Sequence, residues 1–182
     1  MKEVTQKRFL FISATILIAA VSRLIPHPYN FTPIGAMALF GGAMYSKKRL
    51  AFILPLAAMF LSDLIISGFT LHNTILYVYA SFILITTIGI LIGKNPKVGN
   101  LILASITSSV LFFLITNFGV WAQAGFIGGI NGLATTLFAG VPFFNNNITS
   151  SFFANTLAGD LFYTTVLFGS YAVVKMKVPS FA

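Results

Sequence analysis

Apolar runs and basic residues alternate along this chain with a strict polarity, and that pattern leaves few folds open to it. Apolar stretches fall at about residues 9–25, 33–45, 50–70, 74–92, 100–122 and 150–174. Most approach the ~20 residues, at about 1.5 Å of rise each, that cross roughly 30 Å of hydrocarbon. Lys2, Lys7 and Arg8 precede the first run, and Lys47, Lys48 and Arg49 join the second to the third. Lys94 and Lys97 join the fourth to the fifth, while Lys175 and Lys177 follow the sixth. Arg23 alone falls on a connection of the other parity. Because basic residues are retained on the cytoplasmic side, this sorting predicts six spans with both termini in the cytoplasm. The net charge of +8 is then a topology signal and does not point to nucleic acid. With 57% hydrophobic and 8% charged residues in 182, the expectation is an all-α integral membrane protein. It would form one six-helix domain over residues 1–182, in the inner (cytoplasmic) membrane with lipid as its surroundings.

The second run is the unusual one. At ~1.5 Å per residue, residues 33–45 reach only about 20 Å, too short to span alone. Thr32 followed by Pro33 is a helix-start signal, since a threonine oxygen can cap free N–H groups and proline tolerates the first helical position. Either this helix tilts little and thins the bilayer, or the preceding loop, 26–31, dips below the surface. Irregular backbone at that depth survives only where protein buries it or where it lines a cavity. The basic start, the apolar core and Ala20-Val21-Ser22 also resemble a signal peptide; the expectation is that the segment is retained as the first helix.

Apart from Glu3, the remaining ionisable residues Arg23, His27, Asp63, His72 and Asp160 all fall in the outer half of this topology. Charges inside a bilayer cost roughly 2.5–3.5 kcal/mol on insertion scales and usually face a partner or a water-filled site. Asp63 shares a helical face with Ser67 and Thr70, and Asp160 shares one with Thr156, Tyr163 and Thr164. A pocket open to the outside would draw on these groups and on Asn30 of the same loop as His27. Its other members would be Tyr77 on the fourth helix and Asn117 and Trp121, one turn apart on the fifth. The structural alternative is a buried ion pair of Arg23 with Asp63 or Asp160 that only fixes packing. Residues 123–149, rich in Gly, Asn and Phe, are expected to form an outer lid, since long apolar segments without evident structure are commonly functional.

The chain has no cysteine, which removes disulfides, thiolate nucleophiles and cysteine metal ligands. It carries no phosphate loop, HExxH, dinucleotide glycine pattern or Ser-His-Asp spacing. The one enzyme the residues leave open is an intramembrane aspartyl protease with Asp63 and Asp160 sharing a proton; their local contexts, Leu61-Ser62-Asp63 and Ala158-Gly159-Asp160, differ from that family's. A non-enzyme with no intrinsic cofactor is expected.

Pro26-His27-Pro28 after the first helix, Asp63 in the third, the segment 72–77 and the run Asn117-Phe118-Gly119-Val120-Trp121 carry a resemblance. The chain resembles the S components of energy-coupling factor (ECF) vitamin transporters, and more closely their solitary relatives, the BtuM-like cobalamin transporters. The resemblance implies a six-helix S-component-like fold, uptake of a vitamin with cobalamin or another corrinoid as ligand, and His27, Asp63 and Tyr77 in the binding site. It also implies an axial cobalt ligand; where that pattern has a cysteine, His72 is the nearest candidate here. No arginine follows Arg49, and the first helix offers Thr15-x-x-x-Ala19 in place of the Ala-x-x-x-Ala that docks an ECF-type ATPase module. The competing expectation is a membrane scaffold or binding subunit without transport.

Overall fold

The computed structural model describes residues 2–68, 73–141 and 151–178, with side chains for all of these except 2–5 and 67. Among the described residues seven helices follow one another: α1 (Lys2–Ser22), α2 (Ile34–Met44), α3 (Lys48–Ser67), α4 (Ile75–Ile92), α5 (Val98–Gln123), α6 (Gly129–Ala139) and α7 (Phe152–Lys177). No strand occurs among the described residues. Four helices, α3, α4, α5 and α7, are long and apolar enough to cross a membrane. The chain is therefore an all-helical protein built for a membrane.

The short second helix is the centre of the bundle. All eleven residues of α2 are buried, enclosed by α1, α3, α4, α5 and α7. Its small residues explain how five neighbours approach so closely, since helices in lipid associate through tight packing of small side chains. Gly42 meets Gly89 of α4 backbone to backbone: a Cβ on Gly42 would collide with the Thr86 carbonyl, and one on Gly89 with that of Leu39. Gly41 makes room in the same way for the Pro55 ring of α3. Larger side chains fill the rest, with Phe40 edge-on to Phe168 at 5.1 Å between ring centroids.

The basic segments gather at one end. Lys94 Nζ donates to Ser46 Oγ at 2.8 Å, and Lys175 Nζ to Asn95 Oδ1 at 2.8 Å. The start of α1 lies there too, because Ser13 and Tyr45 share a hydrogen bond of 2.9 Å and Phe9 packs on the Tyr45 ring. Arg23 sits at the opposite end, against the C-terminal part of α3.

Three expectations about local structure are corrected. Helix α1 runs over Lys2–Ser22 and not 9–25. Lysine and arginine are good helix formers, so the helix extends into the basic segment that hydropathy excludes. At its other end Arg23, Leu24 and Ile25 close i→i−3 turns onto Ala20, Val21 and Ser22. Thr32 does not cap α2 through its side chain: Pro33 is the N-cap residue, and the cap comes from another helix. Finally, the segment 123–149 is not simply a loop, since residues 129–139 form α6. Glycines at 125, 128 and 129 and Phe126, all with positive φ, turn the chain back after α5. Glycine reaches that region without strain, which is why a glycine-rich stretch leads into a helix here.

Candidate functional site

The end of the bundle away from the lysines holds a cavity of about 680 Å³. Its floor is the start of α2, with Ile34 and Gly35, and its walls come from α3, α4, α5, α6 and the N-terminal part of α7 from Phe152 to Asp160. The loop before α2 forms part of the rim through Asn30 and Thr32. That loop is held against α7: Asn155 Nδ2 donates to the Tyr29 carbonyl at 2.8 Å, and Phe31 packs on Phe162 and Tyr163. Gly159 lets the backbone of 31–32 lie directly on α7, where a Cβ would come to 3.0 Å from Thr32 N.

Two acids and one arginine face this cavity, and their surroundings differ. Arg23 Nη2 lies 2.7 Å from Asp63 Oδ1, with the two side chains 10% and 17% exposed. Arg23 Nη1 also donates to Ser62 Oγ and to the Met59 carbonyl at 3.4 Å, so one guanidinium clamps three positions within about one turn of α3, residues 59, 62 and 63. The planar fork of arginine suits such multiple bonding, and the shared charge offsets the desolvation of each partner.

Asp160 has no cationic partner among the described residues and is 3% exposed. Its carboxylate accepts from Ser109 Oγ at 2.7 Å and from the backbone N–H of Ala36 in the first turn of α2. Helix N-termini present unpaired N–H groups and the positive end of the helix dipole, so a carboxylate from α7 completes what Thr32 leaves open. Gly35 is required for this approach, because a Cβ there would run into the Asp160 carboxylate. Behind it, Ser105, Ser109 and Thr164 continue a buried polar seam between α5 and α7.

Hydroxyl groups make up much of the remaining polar lining. Thr116, Thr135, Thr136 and Thr156 each donate to the carbonyl one turn earlier, at 2.8–2.9 Å. A hydroxyl has one proton and two lone pairs, so a threonine whose proton is committed to its own helix offers its neighbours an acceptor. Phe82, Phe112 and Phe152 supply apolar walls between these acceptors.

Of the residues singled out in the sequence, Arg23, Asn30, Asp63, Asn117 and Asp160 border the cavity together. Asn117 Nδ2 is bonded to the Phe113 carbonyl at 2.8 Å. His27 is exposed on the loop, its Nδ1 2.9 Å from the Pro28 carbonyl, and is not among the lining residues. Tyr77 packs its ring on Gly119 and Phe118 between α4 and α5. Trp121 Nε1 donates to the Ile127 carbonyl at 3.1 Å, pinning the turn between α5 and α6. His72, and with it the suggested metal ligand, lies outside the described residues, as does Thr70. Among the described residues no group of three or more His, Cys, Asp or Glu is placed to hold a metal ion. Sequence reasoning missed Thr135 and Thr136, whose helix it had not found, and the partners of Asp160. A polar stripe along 131–136 was the only available signal.

The chain belongs to a family described as Family of unknown function (DUF6580), whose model matches residues 3–181. No curated protein and no solved structure matches it.

Proposed function

We propose that this member of the DUF6580 family is a membrane substrate-binding protein that captures a cofactor-sized ligand in the cavity opposite its lysines and passes it inward. The observation that carries this is the cavity's chemistry. About 680 Å³ of space, within the roughly 300–1,000 Å³ of small-molecule sites, is lined by phenylalanines and by hydroxyls whose protons are already committed. Such a wall favours a ligand rich in N–H donors. A corrinoid such as cobalamin, whose rim carries carboxamide N–H donors, is the ligand class this reading takes up.

In this account α1 to α5 and α7 make six crossings, α2 doing so inside a sheath of its neighbours. Both termini then lie in the cytoplasm, and α6 lies on the outer face of an inner-membrane protein. No chemical step is required, and no ECF-type ATPase module is invoked. Asp63 and Asp160 keep separate partners, which favours binding over a proton-sharing proteolytic pair.

One observation favours a second reading, a scaffold without transport: both acids already have partners within the chain. Uptake of cobalamin by a strain lacking its own importer separates the two. Restored growth on limiting cobalamin, lost when the cavity wall is altered, supports uptake. Failure of a well-expressed protein to restore growth removes cobalamin as the transported ligand.

A further inference from the structure

The lysine-bearing end of the bundle carries a second hollow, a groove of about 700 Å³ between α5 and α7. One wall is α7 from Leu161 to Met176, about 22 Å at ~1.5 Å per residue. The other is the first turn and a half of α5, including Val98 and Ile102, both exposed on the perimeter. Gly169 opens the groove midway, with nothing within 4 Å of where a side chain would begin.

Lys94 and Lys175 stand together at one end of this groove. Their hydrogen bonds go to neutral oxygens, those of Ser46 and Asn95, and residues 94 and 95 are neighbours, so two ammonium groups share one rim. Of the three acids in the chain, Asp63 and Asp160 border the cavity at the far end of the bundle. No acid whose side chain is described lines the groove. Two ammonium groups on the lining of one apolar channel are complementary to an anion that carries a hydrocarbon tail, and basic pockets between membrane helices recur as anionic-headgroup sites.

We propose that this groove binds an anionic phospholipid of the adjacent leaflet, its phosphate between Lys94 and Lys175 and one acyl chain along α7. The site is independent of the outer cavity and of whatever ligand that cavity takes.

The test is native mass spectrometry of the full-length protein in detergent, titrated with phosphatidylglycerol and with phosphatidylcholine. One phosphatidylglycerol should be retained in preference. With about fivefold in affinity attached to each lysine near a headgroup, Lys94→Gln with Lys175→Gln should weaken its retention about twenty-five-fold. Gly169→Phe, whose Cβ meets nothing within 4 Å, should displace the lipid with both lysines present and the melting temperature in detergent kept. Lys47→Gln with Lys48→Gln, at the same end but outside the groove, should leave the preference unchanged. Equal retention of the two lipids overturns the proposal. So does undiminished retention by Gly169→Phe, or a loss from the Lys47 and Lys48 changes as large as that from Lys94 and Lys175.

Discussion

Helices α2 and α6 have the same length, eleven residues, and both are rich in small and apolar residues, yet every residue of α2 is buried and none of α6 is. Both border the same cavity, α2 as its floor and α6 as part of its wall. The difference lies in what surrounds them. α2 is packed on all sides, its glycines set against Gly89, Pro55 and the Asp160 carboxylate. Among the described helices α6 packs against α5 alone, and the segments flanking it are held by Trp121 to Ile127 and by the Gly140 carbonyl to Phe153 N and Ser151 Oγ. A helix too short to be stable in isolation takes its order from its neighbours. The floor is therefore fixed by the whole bundle, and the α6 wall can change without disturbing it.

The sharpest way to break this contrast is Gly42→Leu. The new side chain would meet the Thr86 carbonyl and Gly89 Cα, both backbone, so relief requires α2 and α4 to separate. A loss of about 3 kcal/mol or more is expected, the upper end of overpacking effects, visible as a large drop in melting temperature in detergent. Melting like wild type would show that α2 is not enclosed. Asp160→Ala comes next. It removes the cap on α2 and turns the Ser109 hydroxyl back to the Ser105 carbonyl, 3.1 Å away, for an expected loss of about 2 kcal/mol in the same assay. Gly35→Ala probes that contact more gently: the methyl group displaces the carboxylate, with an expected cost of about 1 kcal/mol. Asp160→Ala with Gly35→Ala should cost clearly less than the sum of the two, because both act on one contact. Full additivity would mean that Asp160 does not cap α2.

The same contrast explains what could be read from the sequence. The placement of lysines was legible because charge sorting depends on residue type alone, and the short helix was legible from its apolar run after Pro33, although the threonine cap read at its start is not made. Arg23 could be narrowed to two acids, and Asp63 is the one it meets. The role of Asp160 was not legible, since its partner is a backbone N–H of Ala36, far away in the sequence and without a side-chain signature. Helix α6 was hidden for a different reason. Its glycines and asparagine lower helix propensity, and its packing against α5 supplies the order that composition withholds. With α6 unseen, Thr135 and Thr136 could not be placed in the cavity.

Those two threonines allow the most direct test of the central claim, that the cavity binds a ligand. Valine matches threonine in shape, and no residue of α6 is fully buried, so Thr135→Val with Thr136→Val should change stability by no more than about 0.5 kcal/mol. Each hydroxyl acceptor lost to a bound ligand is worth about 1 kcal/mol, so the pair should weaken binding by about tenfold or more. The measurement is equilibrium binding of cobalamin to the purified full-length protein and to this double variant, with melting temperatures taken alongside. The account predicts measurable binding by the wild type, at least about tenfold weaker binding by the variant, and matching melting temperatures. Equal affinity in the two proteins would contradict it, and would place any bound ligand away from the α6 wall.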